Sequence, residues 1–174
     1  MDEALSPKGM FRDLVQIAAV VRDLDRAMQA LTEVFGFGPF RTLTYPPPDR
    51  AGMETLYHGR PGNCVYRMAF TEIGPVEFEL IQPLEGESAW ADFLEQHGEG
   101  IHHIRFNVPE LGPVLEYLET KGIGVAQRGA GLRPGTNWAV LDTEAKVGFT
   151  IELFNPMPGT DGRTPQFAEG RVVE

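Results

Sequence analysis

Cysteine is almost absent from this 174-residue chain: Cys64 is the only one. A single cysteine excludes an intrachain disulfide framework and a zinc ribbon, both of which need cysteines in pairs. Positive charge is also scarce, with 15 Lys and Arg against 25 Asp and Glu and a formal net charge of −10. Such a surface lacks the basic footprint that nucleic acid or an anionic membrane requires, so neither is expected as a partner. No apolar run approaches the roughly 20 residues that span a bilayer. The opening MDEALSPKGM lacks the basic-then-apolar order of a secretory signal. A soluble, cytoplasmic protein is therefore the expectation. The hydrophobic fraction of 42% is ordinary for a globular core, and the length suits one compact domain or two small fused modules.

What the chain does have is an internal repeat. LVQIAAVVR at 14–22 and GIHHIRFNVP at 100–109 each read as an apolar strand leading into an amphipathic helix. VEFELIQP at 76–83 and FTIELFNP at 149–156 are near-identical closing strands. In the first half, strand 15–21 precedes a helix with Asp23 as N-cap and an apolar stripe of Leu24, Ala27, Met28, Leu31, Val34 and Phe35, stopped at Gly36. Strands at 40–45, 64–70 and 76–82 follow, the last two joined by a turn at 72–75. A helix over 88–97, N-capped by Ser88, links the halves. The second half repeats the order: strand 101–108, helix 110–121, and strands near 124–127, 138–141 and 149–154. The pattern predicts an α+β protein of tandem βαβββ modules, forming a curved, partly open mixed β-barrel, a cup with helices outside. The modules are 11–83 and 100–157, with the linking helix in 84–99 and a C-terminal tail over 158–174 read as an extended arm.

Gln16, Glu79, His103 and Glu152 occupy corresponding positions in the four repeated strands. Alternation puts His103, Arg105 and Asn107 on one strand face and His102, Ile104 and Phe106 on the other. Likewise Glu77, Glu79 and Ile81 share a face, as do Gln16, Ala18 and Val20, and Thr150, Glu152 and Phe154. In each strand the polar face opposes an apolar one that can pack on helices. Gln16 and His103 are 87 positions apart, Glu79 and Glu152 only 73, so the first half carries 14 extra residues. The Pro- and Gly-rich segment 46–62 is the expected insertion. It either borders the cup and controls access or is a tolerated surface loop.

The opening IAAVVRDLDRAM, the GIHHIRFNV strand and the paired VEFELIQP and FTIELF closings resemble the vicinal oxygen chelate superfamily. That group includes glyoxalase I, methylmalonyl-CoA epimerase, extradiol dioxygenases and bleomycin-resistance proteins. The resemblance covers 11–156, and 81–108 is most similar to the epimerases. It implies a metal site of Gln16, Glu79, His103 and Glu152. This set looks like that of animal-type glyoxalase I and departs from the epimerases, which usually place His where Gln16 stands. Three oxygen donors and one imidazole suit a hard or borderline divalent ion: Mn, Co, Ni, Zn or Mg.

By the same resemblance, Glu152 is both ligand and base, and the second acid or base of an epimerase would fall near Tyr66 or Arg67, where no carboxylate stands. Glu77, or else Glu54, is the candidate replacement, although Glu77 could equally lie at the rim. Arg105 either pairs with protein carboxylates or binds a substrate anion, and Asn107, Tyr66 and Arg67 are further candidates for substrate contact. The implied activity is divalent-metal-dependent isomerisation, epimerisation or lyase chemistry next to a carbonyl of a small oxygenated metabolite, a carboxylate or an acyl-CoA, in a homodimer. The alternative is a non-catalytic binding protein of the bleomycin-resistance type.

Overall fold

The computed structural model describes residues 10–11, 13–48, 53–168 and 171–173. The order is β1 (Leu14–Val20), α1 (Leu24–Phe35), β2 (Arg41–Tyr45), β3 (Thr55–Tyr57), β4 (Arg60–Gly62), β5 (Val65–Ile73), β6 (Val76–Glu85) and α2 (Ala89–Gln96). Then come β7 (Gly100–Asn107), α3 (Leu111–Glu119), β8 (Val125–Ala130), β9 (Asn137–Leu141), α4 (Glu144–Val147), β10 (Thr150–Asn155), β11 (Gln166–Ala168) and β12 (Arg171–Val173). Ten strands form one curled mixed sheet in the order β2-β5-β6-β1-β7-β10-β9-β8-β3-β4. The expected α+β cup is the fold of the chain. Its two halves, β2-β5-β6-β1 and β7-β10-β9-β8, meet where β1 and β7 pair antiparallel.

Local signals set the helices. The Asp23 side chain accepts the Arg26 N–H, and Gly36 closes α1 in the left-handed region at φ 72°. Such an N-cap contributes about 1 kcal/mol. Leu24, Ala27, Met28 and Leu31 pack on Ala19, Val21, Ala69 and Leu80, covering the convex face of the first half. Val34 and Phe35, expected on the same stripe, are instead exposed in the last turn. α3 covers the second half through Val114, Leu115 and Leu118 against Leu141 and Leu153. The linking helix α2 packs differently from the two outer helices. Ser88 caps α2 by accepting from Ala91 N, but Trp90, Phe93 and Leu94 pack inward with Ala18, Val20, Ile81 and Val140. α2 therefore plugs one end of the cup.

The inserted segment is more than a loop. Residues 55–62 form the hairpin β3–β4, and β3 pairs antiparallel with β8 of the opposite half, Thr55 facing Gly129 and Tyr57 facing Gln127. Behind it, the Gln127 side chain donates to Cys64 Sγ and accepts from Ala89 N. None of the described residues between 46 and 62 lines the cup, and 55–62 form a cross-module brace; residues 49–52 of the expected access loop lie outside the described residues. Deleting 54–62 is accordingly expected to lower the melting temperature and to expose the β8 edge. A melting curve unchanged by the deletion would make the hairpin dispensable.

Candidate metal and substrate site

Register places the polar side chains in two rows across the concave face. Glu77, Gln16, Arg105 and Glu152 stand abreast on β6, β1, β7 and β10. The adjacent row is Glu79, Ala18, His103 and Thr150. The four repeat-related candidates thus zigzag between rows around the seam. All are buried: Gln16 and His103 are 0% exposed, Glu79 5% and Glu152 6%. Glu79 and Glu152 reach the cavity, and His103 lies in the floor between them, its Nε2 at 3.4 Å from Glu152 Oε2 and 3.9 Å from Glu79 Oε2.

Two of the four candidates keep a buried atom with no hydrogen-bond partner among the described residues, His103 Nε2 and Gln16 Oε1. Gln16 Nε2 donates to Glu77 Oε1 at 2.8 Å, which turns the carboxamide oxygen the other way. Burial drives the His103 imidazole well below its ordinary pKa, with His102 and Arg105 adding to the effect. A neutral ring does not ion-pair with its carboxylate neighbours. Burial, then the charge of Glu152, pushes Glu79 well above the usual carboxylate range against the pull of Arg105. Glu152 is pushed up to about 7, again chiefly by burial. Two carboxylates crowded beside a neutral imidazole are a donor set that a bound cation would stabilise. As placed, no three His, Cys, Asp or Glu side chains among the described residues form a ready metal cluster. The fourth donor of the set is an amide.

Glu77, by contrast, is saturated. It accepts from Gln16, from Arg41 NH2 at 2.9 Å, and from both the backbone N–H and the hydroxyl of Thr164. Arg105 NH2 is a further 3.6 Å away. Arg105 also donates to the Gly162 carbonyl and lies over the Phe154 ring, leaving its Nε unpaired. Both readings of Arg105 keep support: NH2 engages protein groups and Nε is without a partner.

Tyr66 lies in the cup, stacked on Tyr45 with ring centroids 4.9 Å apart. Arg67 does not. Alternation along β5 sends it to the convex face, where it makes a bidentate pair with Asp25 of α1. That pair is exposed and adds little to stability, and Arg67 is removed as a substrate contact. Glu54 is exposed and outside the cup. Asn107 stands at the rim, donating to the Asp161 carbonyl.

Sequence reasoning missed the walls. Tyr45, Trp90 and Trp138 form an aromatic cluster in the cup, with Trp90 and Trp138 5.5 Å apart. Gly129 makes room for Trp138, whose ring atom Cζ2 would stand 2.6 Å from an added Cβ. It also missed the tail. Residues 160–165, read as an extended arm, fold back over the opening and line it through Thr160, Gly162 and Pro165. Arg163 reaches the Pro75 carbonyl and Glu72. About 690 Å³ of open space remains, mouth included.

The profile of the "Glyoxalase/Bleomycin resistance protein/Dioxygenase superfamily" matches residues 15–141. The uncharacterized protein YqjC of Bacillus subtilis is 34% identical over 108 residues, covering 60% of this chain and 76% of that protein. Among solved structures, methylmalonyl-CoA epimerase from Mycobacterium tuberculosis superposes with a TM-score of 0.62 at 20% identity, covering 88% of this chain and 94% of that one. A Streptomyces coelicolor methylmalonyl-CoA epimerase in complex with 2-nitronate-propionyl-CoA gives 0.61 at 22% identity, with 85% and 96% covered. At these identities the two structures speak for the fold alone.

Proposed function

Because this chain belongs to the glyoxalase/bleomycin resistance protein/dioxygenase superfamily, we propose that its cup is a divalent-metal-dependent active site for proton transfer next to a carbonyl of a small oxygenated metabolite. The outcome is epimerisation, isomerisation or a glyoxalase-like lyase reaction. The observation that carries this reading is the pair of orphaned buried donors, Gln16 Oε1 and His103 Nε2, set beside Glu79 and Glu152. Those four side chains would hold the ion, and three oxygens with one imidazole suit Mn, Co, Ni, Zn or Mg. Bound there, a divalent ion supplies Lewis-acid polarisation of the substrate carbonyl, which acidifies the neighbouring C–H.

The remaining work falls to the protein. Glu152 opens onto the cavity and is placed to take the proton at a carboxylate oxygen and return it. Arg105 Nε is the donor left to orient an anionic group of the substrate. The aromatic walls and the folded-back tail exclude water from the reacting carbon. Glu77 holds Arg41, Arg105 and the tail in place instead of moving protons, because its oxygens are already occupied.

One observation favours a second reading, a ligand-sequestering protein. The β5 face toward the cup presents Tyr66, Met68 and Phe70, and its one carboxylate, Glu72, is half-exposed and paired with Arg41 and Arg163 instead of lining the cavity as a second acid or base. The test is exchange of substrate C–H protons for solvent deuterium, followed by NMR. The panel comprises small α-hydroxy ketones, 2-oxo acids and methylmalonyl-CoA, each with added Mn, Co, Ni, Zn or Mg. Metal-dependent exchange that Glu152→Gln abolishes is the expected result. Quenching of tryptophan fluorescence by a panel member without exchange would favour sequestration, since both tryptophans of the chain line the cup.

A further inference from the structure

Adjacent residues of a regular strand face opposite ways, yet His102 and His103 touch. Their Nδ1 atoms are 2.8 Å apart and their rings stand at 86°. The cause is a β-bulge. Between Ala18 and Ala19 of β1 the paired residue of β7 jumps from His103 to Ile101. Two residues of β7 therefore oppose one of β1, and His102 leaves the convex face that alternation predicts for it. It is 4% exposed and held edge-on to Phe93 of α2, with ring centroids 5.0 Å apart.

A 2.8 Å contact between two ring nitrogens holds one proton, and its owner decides what the far side of His103 can do. If His102 donates, His103 carries its proton on Nε2, facing Glu152 and Glu79 from the cup floor. That N–H would need an acceptor, and although the Glu152 oxygen is 3.4 Å away, Nε2 makes no hydrogen bond to any described residue. If His103 donates, its Nε2 bears a lone pair, the form in which imidazole ligates a cation. We infer that His102 is a positioning residue, its Nδ1 accepting the Nδ1–H of His103 and thereby fixing the tautomer and ring orientation that turn the Nε2 lone pair toward the metal. The inference rests on the metal reading above. A histidine thus takes the place of the carboxylate or carbonyl that usually orients a ligating imidazole.

The test uses the full chain labelled with 15N in histidine. In metal-free wild type, NMR is expected to find His103 protonated at Nδ1 and bare at Nε2, and Zn2+ should perturb the Nε2 signal. His102→Leu removes the acceptor and is expected to weaken Zn2+ binding by roughly 10–100-fold, the usual loss when the group orienting a ligand is removed. His102→Asn should recover most of that loss, because a carboxamide oxygen stands where Nδ1 was. A proton on Nε2 of wild-type His103, or equal Zn2+ affinity in the leucine variant, overturns the inference. Should His102→Leu fail to fold, the wild-type tautomer and the asparagine variant still decide. If wild type takes up no metal, the metal reading falls, while the tautomer in metal-free protein separately decides the hydrogen bond.

Discussion

Glu77→Ala is expected to destabilise the protein by about 3–5 kcal/mol, the scale of removing one partner from a buried charge network. Glu77 is fully buried and gathers Gln16, Arg41, Thr164 and, more distantly, Arg105. Removing it leaves the Arg105 guanidinium, 6% exposed, without its nearest carboxylate and beside an unpaired Nε. Arg41 loses less, since its side chain is 19% exposed and Glu72 is within 3.8 Å. The tail loses both of its hydrogen bonds to the carboxylate. Denaturant unfolding should show a lower midpoint, and proteolysis should cut faster between 157 and 165. A midpoint shift worth less than about 1 kcal/mol would place Glu77 with the surface ion pairs.

His103→Ala is expected to abolish stoichiometric metal. His103 is the single imidazole of the set and the residue from which both cup carboxylates are reached, at 3.4 and 3.9 Å. A ligand that binds only the folded state stabilises it by about 2.7 kcal/mol when present at 100 times its dissociation constant. Wild type should therefore melt higher with metal than with chelator, and the variant should melt the same in both. The variant loses a desolvated ring as well, so its metal-free baseline is the proper reference. Metal content unchanged by elemental analysis would show that another group of residues binds the ion.

The strand period made the site readable. Gln16, Glu79, His103 and Glu152 group together in the sequence as candidates because period-2 alternation and the repeat both survive folding, and the register sets them around one seam. Caps were readable for a similar reason: Asp23 and Ser88 act within three residues of themselves. What escaped was non-local or carried by the backbone. The pairing of β3 with β8 joins residues 70 to 74 positions apart and leaves no composition signal. The bulge at His102 is one extra residue between normal pairs, invisible to alternation, which therefore misplaced that ring. The tail is held partly through carbonyls of Asp161 and Gly162, and every residue type has a carbonyl.

The pairing of β3 with β8 has a further implication for how such a chain can be divided. A repeat protein invites separation at the linking helix, but here each half holds something the other requires. The first half contributes the strand that covers the far border of the second. The second contributes the partner of β1 and the peptide that closes over Glu77. Severed at 86–88, the two pieces would be complementing fragments, each with open borders and an incomplete cup. The internal repeat gives this protein its symmetry; the hairpin and the tail make that symmetry indivisible.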